Sequence, residues 1–386
     1  MTKGNRRRWR RAKGAPTVVF VDDVRWDAFT QLSTRLHRAG VRTVRLTTRA
    51  DAWSRATSSL DFDRHEILAE GVESAVIAQV FEEEHVVDVQ FVETLGDLVG
   101  KHLALLDRDV ATSVAKRLEL TDKLAAARRF ESAGVRTPAV RPADSTTPAA
   151  VAEDWGLPVV AKRRVGCGGD NVVIAADLAE LEAASRAWEG DEDARYYERY
   201  VEGIKLNYAA AVGPGGIDQE MAYRVSRWRM PAGTATEIET VDDAALVDLG
   251  RRALQASGCT GLVNLDVMRD VDGTDWLIDF NSRAFGGAMN FLSVGLDVSE
   301  GYLRSLGLRE EPPTMRTPPV GARIAIFPTS LSDERNLGST RRMAAAFASE
   351  SWPYLRWLGP RYWASELLRV PDVAAARRRA RRASAS

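Results

Sequence analysis

Residues 261–287 read Gly-Leu-Val-Asn-Leu-Asp-Val-Met-Arg-Asp-Val-Asp-Gly-Thr-Asp-Trp-Leu-Ile-Asp-Phe-Asn-Ser-Arg-Ala-Phe-Gly-Gly. Both flanks of this stretch alternate polar and apolar residues, the period of a half-buried strand. Asp272-Gly273 lies between them and suits a two-residue type I′ turn. A hairpin closed on that turn sets Asp266 opposite Asp279 and Asn264 opposite Asn281. On its other face Leu265 meets Phe280 and Val267 meets Ile278. One face is core; the other carries two carboxylates and two amides.

Like charges directly opposite one another destabilise a sheet, because their Cβ atoms are only ~5 Å apart. A hard divalent cation would resolve the conflict. Mg²⁺ takes oxygen ligands from one or two carboxylates and fills its shell with phosphate oxygens and water. The competing reading is a longer, irregular Asp-rich loop in which the two carboxylates never meet.

The order Asn-x-Asp, turn, acidic residue, apolar residue, Asn, any residue, Arg and a later Gly-Gly resembles the metal-binding end of the ATP-grasp superfamily, in its carbamoyl-phosphate-synthase-like branch. The resemblance implies Mg·ATP held between two α+β subdomains, with Asp266, Asp279 and Asn281 on the metal. The position two before the Asn is usually Glu in that family. Here it is Asp279, one methylene shorter, which weakens the case for bidentate bridging of two ions.

At 386 residues the chain has room for two or three subdomains. Its 45% hydrophobic and 28% charged content are those of a soluble globular protein. A net charge of −1 argues for neither a nucleic-acid nor a membrane partner. Both ends are basic, from Lys3 to Lys13 and from Arg377 to Arg382. Short tails of that kind are usually solvated. Two cysteines, Cys167 and Cys259, build no disulfide framework, so a cytoplasmic location is expected. No apolar run reaches the length of a membrane span, and no signal core follows the basic start.

In order, Thr17–Asp22, Val41–Thr47 and Val86–Phe91 read as strands. Stretches 25–39, 71–84 and 95–106 read as helices. Strands alternating with helices predict a small parallel sheet covered on both faces. No Gly-rich dinucleotide fingerprint follows the first strand, so a nicotinamide cofactor is not supported. A helix opens at Leu120-Thr121-Asp122-Lys123 and runs to Ala133, with Thr121 or Asp122 as its cap. Leu157–Lys162 is a strand ending on a lysine. The segment Arg163-Arg164-Val165-Gly166-Cys167-Gly168-Gly169 follows it. Glycines let backbone N–H groups close on phosphate oxygens, although a plain turn has the same composition. Arg195–Gly203 follows, and Leu206–Val212 with Gln219–Val225 reads as a hairpin. Arg224 near its end, with Arg227 and Arg229 after it, carries a fork that suits a carboxylate or acyl phosphate; plain surface arginines are the equal alternative. Asp242–Ser257 is a helix, Val320–Phe327 a strand and Arg341–Ser349 a helix. The aromatic stretch Trp352–Trp363 carries no assignable chemistry.

Four ordered motifs between Glu93 and Gly307 carry the resemblance. It implies an α/β and α+β fold: an ATP-grasp behind an N-terminal Rossmann-like, pre-ATP-grasp domain. The expected division is a basic disordered tail (1–15), the N-terminal α/β domain (16–110), the helical entry and ATP lid (111–196), the metal-binding subdomain (197–310) and a C-terminal extension with its basic tail (311–386). The resemblance places Lys123, Lys162, Gly166, Gly168 and Gly169 on the phosphates. It places Glu198 on the adenine amino group, with Tyr200, Val201 and Glu202 in the hinge. The family's ribose-binding Glu is Lys205 here, which leaves Glu202 or Asn207 as substitutes.

The activity implied is ligation of a carboxylate, an amino acid or small acid, to an amine. ATP goes to ADP and phosphate through an acyl phosphate, with Arg283 stabilising the anionic intermediate. The cofactors implied are ATP and Mg²⁺, two ions, with Mn²⁺ an admissible replacement. The partners are the two small substrates; a homodimer is compatible. Two rival readings stand: a bicarbonate-using carboxylase or carbamoyl-forming enzyme, and a non-catalytic ATP-binding sensor.

Overall fold

The computed structural model describes residues 14–166, 171–188, 190, 194–228, 235–313, 317–332, 340–351 and 357–368. The valine-rich runs of the first hundred residues form β1 (Pro16–Asp22), β2 (Arg42–Thr47), β3 (Arg64–Ile67) and β4 (His85–Phe91). All pair in parallel, in the order β3-β2-β1-β4. Parallel neighbours need crossovers, and helices Asp27–Arg38, Ala52–Asp61 and Glu73–Glu83 supply them. The second of these helices and β3 are not among the expected elements. Asp51 caps the helix, accepting from the Ser54 N–H at 2.8 Å. The continuous helix expected over 95–106 is broken. It consists of 3₁₀ turns at Glu93–Leu95 and Leu103–Leu105 around a short helix, Gly96–Gly100. Glycines at both ends of that short helix lower its propensity.

Next come β5 (Val140–Pro142), β6 (Val159–Arg163), β7 (Val172–Ala175) and β8 (Arg195–Arg199), an antiparallel sheet in the order β5-β8-β6-β7. A larger sheet follows: β9 (Gly203–Gly213), β10 (Gly216–Trp228), β11 (Ala235–Thr240), β12 (Gly261–Asp270), β13 (Asp275–Asn281) and β14 (Arg323–Ala325). Its order is β13-β12-β9-β10-β11-β14. The strand expected over 320–327 shrinks to β14. Pro318 and Pro319 bring no N–H to a ladder, and Gly321 sits at φ +76°. Residues of both antiparallel sheets line one cleft.

The β12–β13 hairpin confirms the register at the site and corrects it at the turn. Asp266 faces Asp279, Asn264 faces Asn281 and Leu265 faces Phe280. Val267, however, faces Leu277 rather than Ile278. The connection is not the two-residue turn. The Asp270 N–H donates to Thr274 O at 2.9 Å, leaving a three-residue loop with Gly273 at φ +82°. Asp270 Oδ1 also accepts from the N–H groups of Asp272 and Thr274. The loop is thus one residue longer than expected. A bulge between Asp266 and Val267 absorbs that residue. The two departures cancel where the carboxylates meet.

The C-terminal helix Pro360–Leu368 packs on the N-terminal domain. Tyr362 Oη accepts from Gln31 Nε2 at 3.0 Å. Arg25 Nη2 donates to Ser365, Glu366 and Asp61 at 2.8, 2.9 and 3.2 Å. Burial pushes the Asp61 carboxyl up to about 6. Arg25 and Ser365 oppose the rise, and Glu366 adds to it. A raised carboxyl contributes stability that is complete below its ordinary value of 3.8 and lost as pH rises through about 6. Asp61→Asn removes that dependence. In urea denaturation, the mutant is expected to gain stability on wild type between about pH 4 and about pH 7. A constant difference across that window would refute the assignment.

Candidate active site

The bulge and register set β12 as a ruler. Met268, Asp266 and Asn264 follow one another at two-residue steps, ~6.7 Å apart along the strand. Met268 pairs across to Lys205 of β9, Asp266 to Asn207 and Asn264 to Ala209. The hinge lies at the Met268 end, where Asp270 pairs with Gly203. Beyond the Asn264 end lies Arg283. All of these except Asp270 and Ala209 line a cavity of about 420 Å³. Lys123, Lys162, Gly166, Glu198, Tyr200, Val201, Asp279 and Asn281 line it too. Trp26, Tyr223, Val225, Phe285 and Ile326 add an apolar wall to the same cavity.

The facing carboxylates are neutralised by the chain's own lysines. Lys123 Nζ contacts Asp279 Oδ1 closely, and Lys205 Nζ lies 2.7 Å from Asp266 Oδ2. The repulsion that a divalent cation would resolve is thus already offset by two ammonium groups. Asp266 Oδ1 also accepts from Asn207 Nδ2 and, at 3.3 Å, from Asn264 Nδ2. Tyr223 Oη donates to Asn264 Oδ1 at 2.6 Å and orients that amide. Burial pushes the Asp279 carboxyl up, but Lys123, with Lys162 and Lys205, outweighs burial and holds it below the usual range. Asp279 Oδ2 accepts no hydrogen bond from the described residues. Asp279 Oδ2, Asn281 Oδ1 and the Asp266 carboxylate are oxygen donors of the kind Mg²⁺ takes; among the described residues no three His, Cys, Asp or Glu side chains come together as a metal site.

Lys162 and Glu198 pair inside the cleft. Lys162 Nζ donates to Glu198 Oε1 at 2.6 Å and to the Ile278 carbonyl at 3.2 Å. Burial raises the Glu198 carboxyl despite this lysine. The expected contacts of these two residues with phosphate and adenine thus start from a salt bridge between them. Lys123 opens the helix Lys123–Ser132, which Asp122 caps. Arg164 is locked onto Asp122. Gly166 holds φ +153°, and a Cβ there would lie 2.5 Å from Asn171 Nδ2. Gly168 and Gly169 fall outside the described residues, as do the 1–13 and 371–386 tails and Arg229. Glu202 is exposed and does not line the cavity. Arg224 and Arg227 do not form the expected clamp. They bridge to Glu239 and Glu237 on β11 and lie outside the cavity lining.

Arg283 is buried. Its Nε donates to Glu93 Oε1 at 2.9 Å, its Nη2 to Asn281 Oδ1 at 3.3 Å, and its guanidinium lies 4.5 Å from the Trp26 ring centre. Trp26 Nε1 in turn donates to Ala284 O at 3.0 Å. Glu93, Trp26 and Tyr223 escaped the sequence reading, as did the pairing of Lys205 and Asn207 with Asp266. A signal existed for the first two. They follow β1 and β4, and the carboxyl ends of parallel strands are where α/β sheets present binding residues.

Gly203 lies where β9 leaves the hinge. A Cβ there would stand 1.8 Å from the Arg269 carbonyl oxygen. Gly203→Ala is expected to unpair that end of β9 from β12 and to cost about 3 kcal/mol. Thermal unfolding reads the loss. A melting temperature equal to wild type would refute the close approach.

Residues 120–287 match the model of the ATP-grasp domain family. The chain is 30% identical over 179 residues to a D-alanine–D-alanine ligase of Gloeobacter violaceus, covering 42% of this chain and 58% of that protein. It is 29% identical over 176 residues to the ligase of the same name from Stutzerimonas stutzeri, covering 42% and 54%. The matched stretch thus spans a little over half of these relatives. Among solved structures, carboxyaminoimidazole ribonucleotide synthase from Aspergillus clavatus, complexed with ATP, superposes with TM-score 0.63 at 14% identity, over 78% of each chain. An L-amino acid ligase from Bacillus licheniformis gives 0.58 at 19%, over 76% of this chain and 75% of that one. At such identities the superpositions establish the fold. Residues 120–287 thus carry an ATP-grasp domain, and a parallel-sheet domain precedes it. Among the described residues no helix is long and apolar enough to cross a membrane.

Proposed function

We propose that this protein is an ADP-forming ligase that joins a carboxylic acid to an amine. The observation that carries the reading is the ordered face of the β12–β13 hairpin. Hinge, lysines, paired aspartates and Arg283 follow one another along a single cavity. The likeness to D-alanine–D-alanine ligases supports the same chemistry.

In this reading the adenine sits at Tyr200, Val201 and Glu198, and the phosphates extend along β12 toward Asn264. Lys123 and Lys162 exchange their carboxylate partners for phosphate oxygens. Asp279 and Asn281, with Asp266 facing them, would hold Mg²⁺, which would offset charge on the transferred phosphoryl group. An acid oxygen attacks the γ-phosphorus while the β–γ bridge breaks and ADP leaves. Arg283 orients the acid and stabilises the anion that forms when the amine attacks the acyl carbon. Phosphate then leaves, and the amine nitrogen loses its proton. The apolar wall of Trp26, Tyr223, Val225 and Phe285 suits an acid whose non-reacting part is apolar. ATP and the two small substrates are the partners in this reading, and the compartment is the cytoplasm.

The test is ADP release screened over acids and amines, aromatic and short-chain acids included, with bicarbonate as a separate arm. Release that needs both an acid and an amine supports the ligase. Release with bicarbonate and no amine overturns it in favour of a carboxylase. Tight nucleotide binding without turnover across the panel overturns it in favour of a sensor, a reading that the lysine on each aspartate favours.

A further inference from the structure

Lys205 stands on β9 diagonally across from Asp266, and its ammonium lies 2.7 Å from Asp266 Oδ2. The Trp228 ring, 5.2 Å from that ammonium, flanks it on the other side. A cation over an aromatic face is held there electrostatically. The other oxygen of Asp266 accepts from Asn207 and Asn264. Both oxygens of this carboxylate are therefore taken by protein donors. Asp279 differs. Lys123 and the Phe280 N–H both use its Oδ1, and Oδ2 accepts from none of the described residues. The two carboxylates face each other in register, yet only one has an oxygen open to a new ligand.

We propose that Lys205 occupies the place of one of the two divalent cations implied by the family resemblance, so that this protein binds a single metal ion with its nucleotide, centred on Asp279 and Asn281. The inference rests on the nucleotide-binding part of the ligase reading. The physics is like-charge exclusion. An ion coordinated by Asp266 Oδ2 would sit beside an ammonium, and neighbouring like charges repel strongly in a partly desolvated cleft. The ammonium neutralises Asp266 at fixed cost in chain entropy and needs no metal from solution. At Asp279 the ammonium is that of Lys123 on Oδ1; in the ligase reading it moves to phosphate oxygens, and Oδ2 is left to the cation.

The experiment counts ions. The full chain is saturated with a non-hydrolysable ATP analogue and titrated with Mn²⁺, and free Mn²⁺ is followed by EPR. The expected result is one Mn²⁺ per nucleotide-loaded wild-type chain. Lys205→Gln, which removes the charge, is expected to bind two, the second at least ten-fold tighter than any second ion in wild type. Lys205→Arg keeps the charge and is expected to stay at one. Thermal melts and analogue affinity check that each variant is folded. Two ions in wild type overturn the proposal. So does no ion, or an unchanged count in Lys205→Gln. The ligase reading fails separately: one bound Mn²⁺ with no ADP release from any acid and amine sinks the ligase and leaves this inference standing. Turnover with two ions sinks this inference alone.

Discussion

Asp279→Asn is expected to abolish magnesium-dependent ADP formation, a loss of at least ~10³-fold, with the fold intact. The substitution keeps the shape and the hydrogen-bonding reach of the side chain and removes only its charge. That charge has two partners in view. Lys123 contacts Oδ1 directly, and in the proposed function Oδ2 takes the metal. The lysine is raised above its ordinary pKa: burial lowers it, but Asp279 and Glu93 prevail. Without Asp279 the ammonium keeps the Glu93 and Glu198 carboxylates in its surroundings. The side chain of Asp279 is about a quarter exposed, so solvent tempers the structural cost and the melting temperature should move little. ADP release and the melt are measured on one preparation. Turnover equal to wild type at ordinary Mg²⁺ would remove Asp279 from the metal set. A collapsed melt would make its role structural.

Arg283→Lys is expected to bind nucleotide as wild type does and to lose ~10²–10³ in rate. A lysine keeps the charge and loses the planar fork. In this protein the fork spans two domains: Nε reaches Glu93, just after β4, while Nη2 reaches Asn281 at the end of β13. One ammonium has no fixed fork with which to span both contacts. Glu93 Oε2 is buried and has no hydrogen-bond partner among the described residues, so the Glu93 carboxylate has no second donor to fall back on. The reading requires the rate to fall while analogue affinity holds, with Arg283→Lys and Glu93→Gln compared. If Glu93→Gln reproduces the full loss, Arg283 acts by anchoring the strand to the N-terminal domain rather than at the acyl phosphate. Full activity in Arg283→Lys, or equal losses of rate and nucleotide affinity, would sink the proposed role.

The hairpin shows how far local pattern carries. Period-two alternation over 261–270 and 275–281 decided that Asp266 and Asp279 share a face, because successive strand side chains point to opposite sides. The turn was misread by one residue, and a bulge that no sequence pattern announced restored the register. Had the bulge fallen on the other side of Asp266, the same alternation would have brought different partners together. Helix caps were equally local. Asp122 accepts from the N–H groups of Leu124 and Ala125, a contact of adjacent residues that composition already suggests.

The sequence by itself thus determined the fold class, the order of the motifs and the polar face of the central hairpin. These rest on interactions between residues near in the chain, where periodicity and capping act. Only the tertiary structure decided which charges meet. Lys123 reaches Asp279 across 156 residues, Lys162 reaches Glu198 across 36, and Glu93 reaches Arg283 across 190. Such pairs depend on how three sheets stack around a cleft, and no local spacing encodes them. Lys205 is the clearest case. In the sequence it is a lysine where the family resemblance implies a glutamate. In the fold, strand pairing sets it diagonally across from Asp266, and proximity there turns a substituted residue into the counter-ion of a carboxylate.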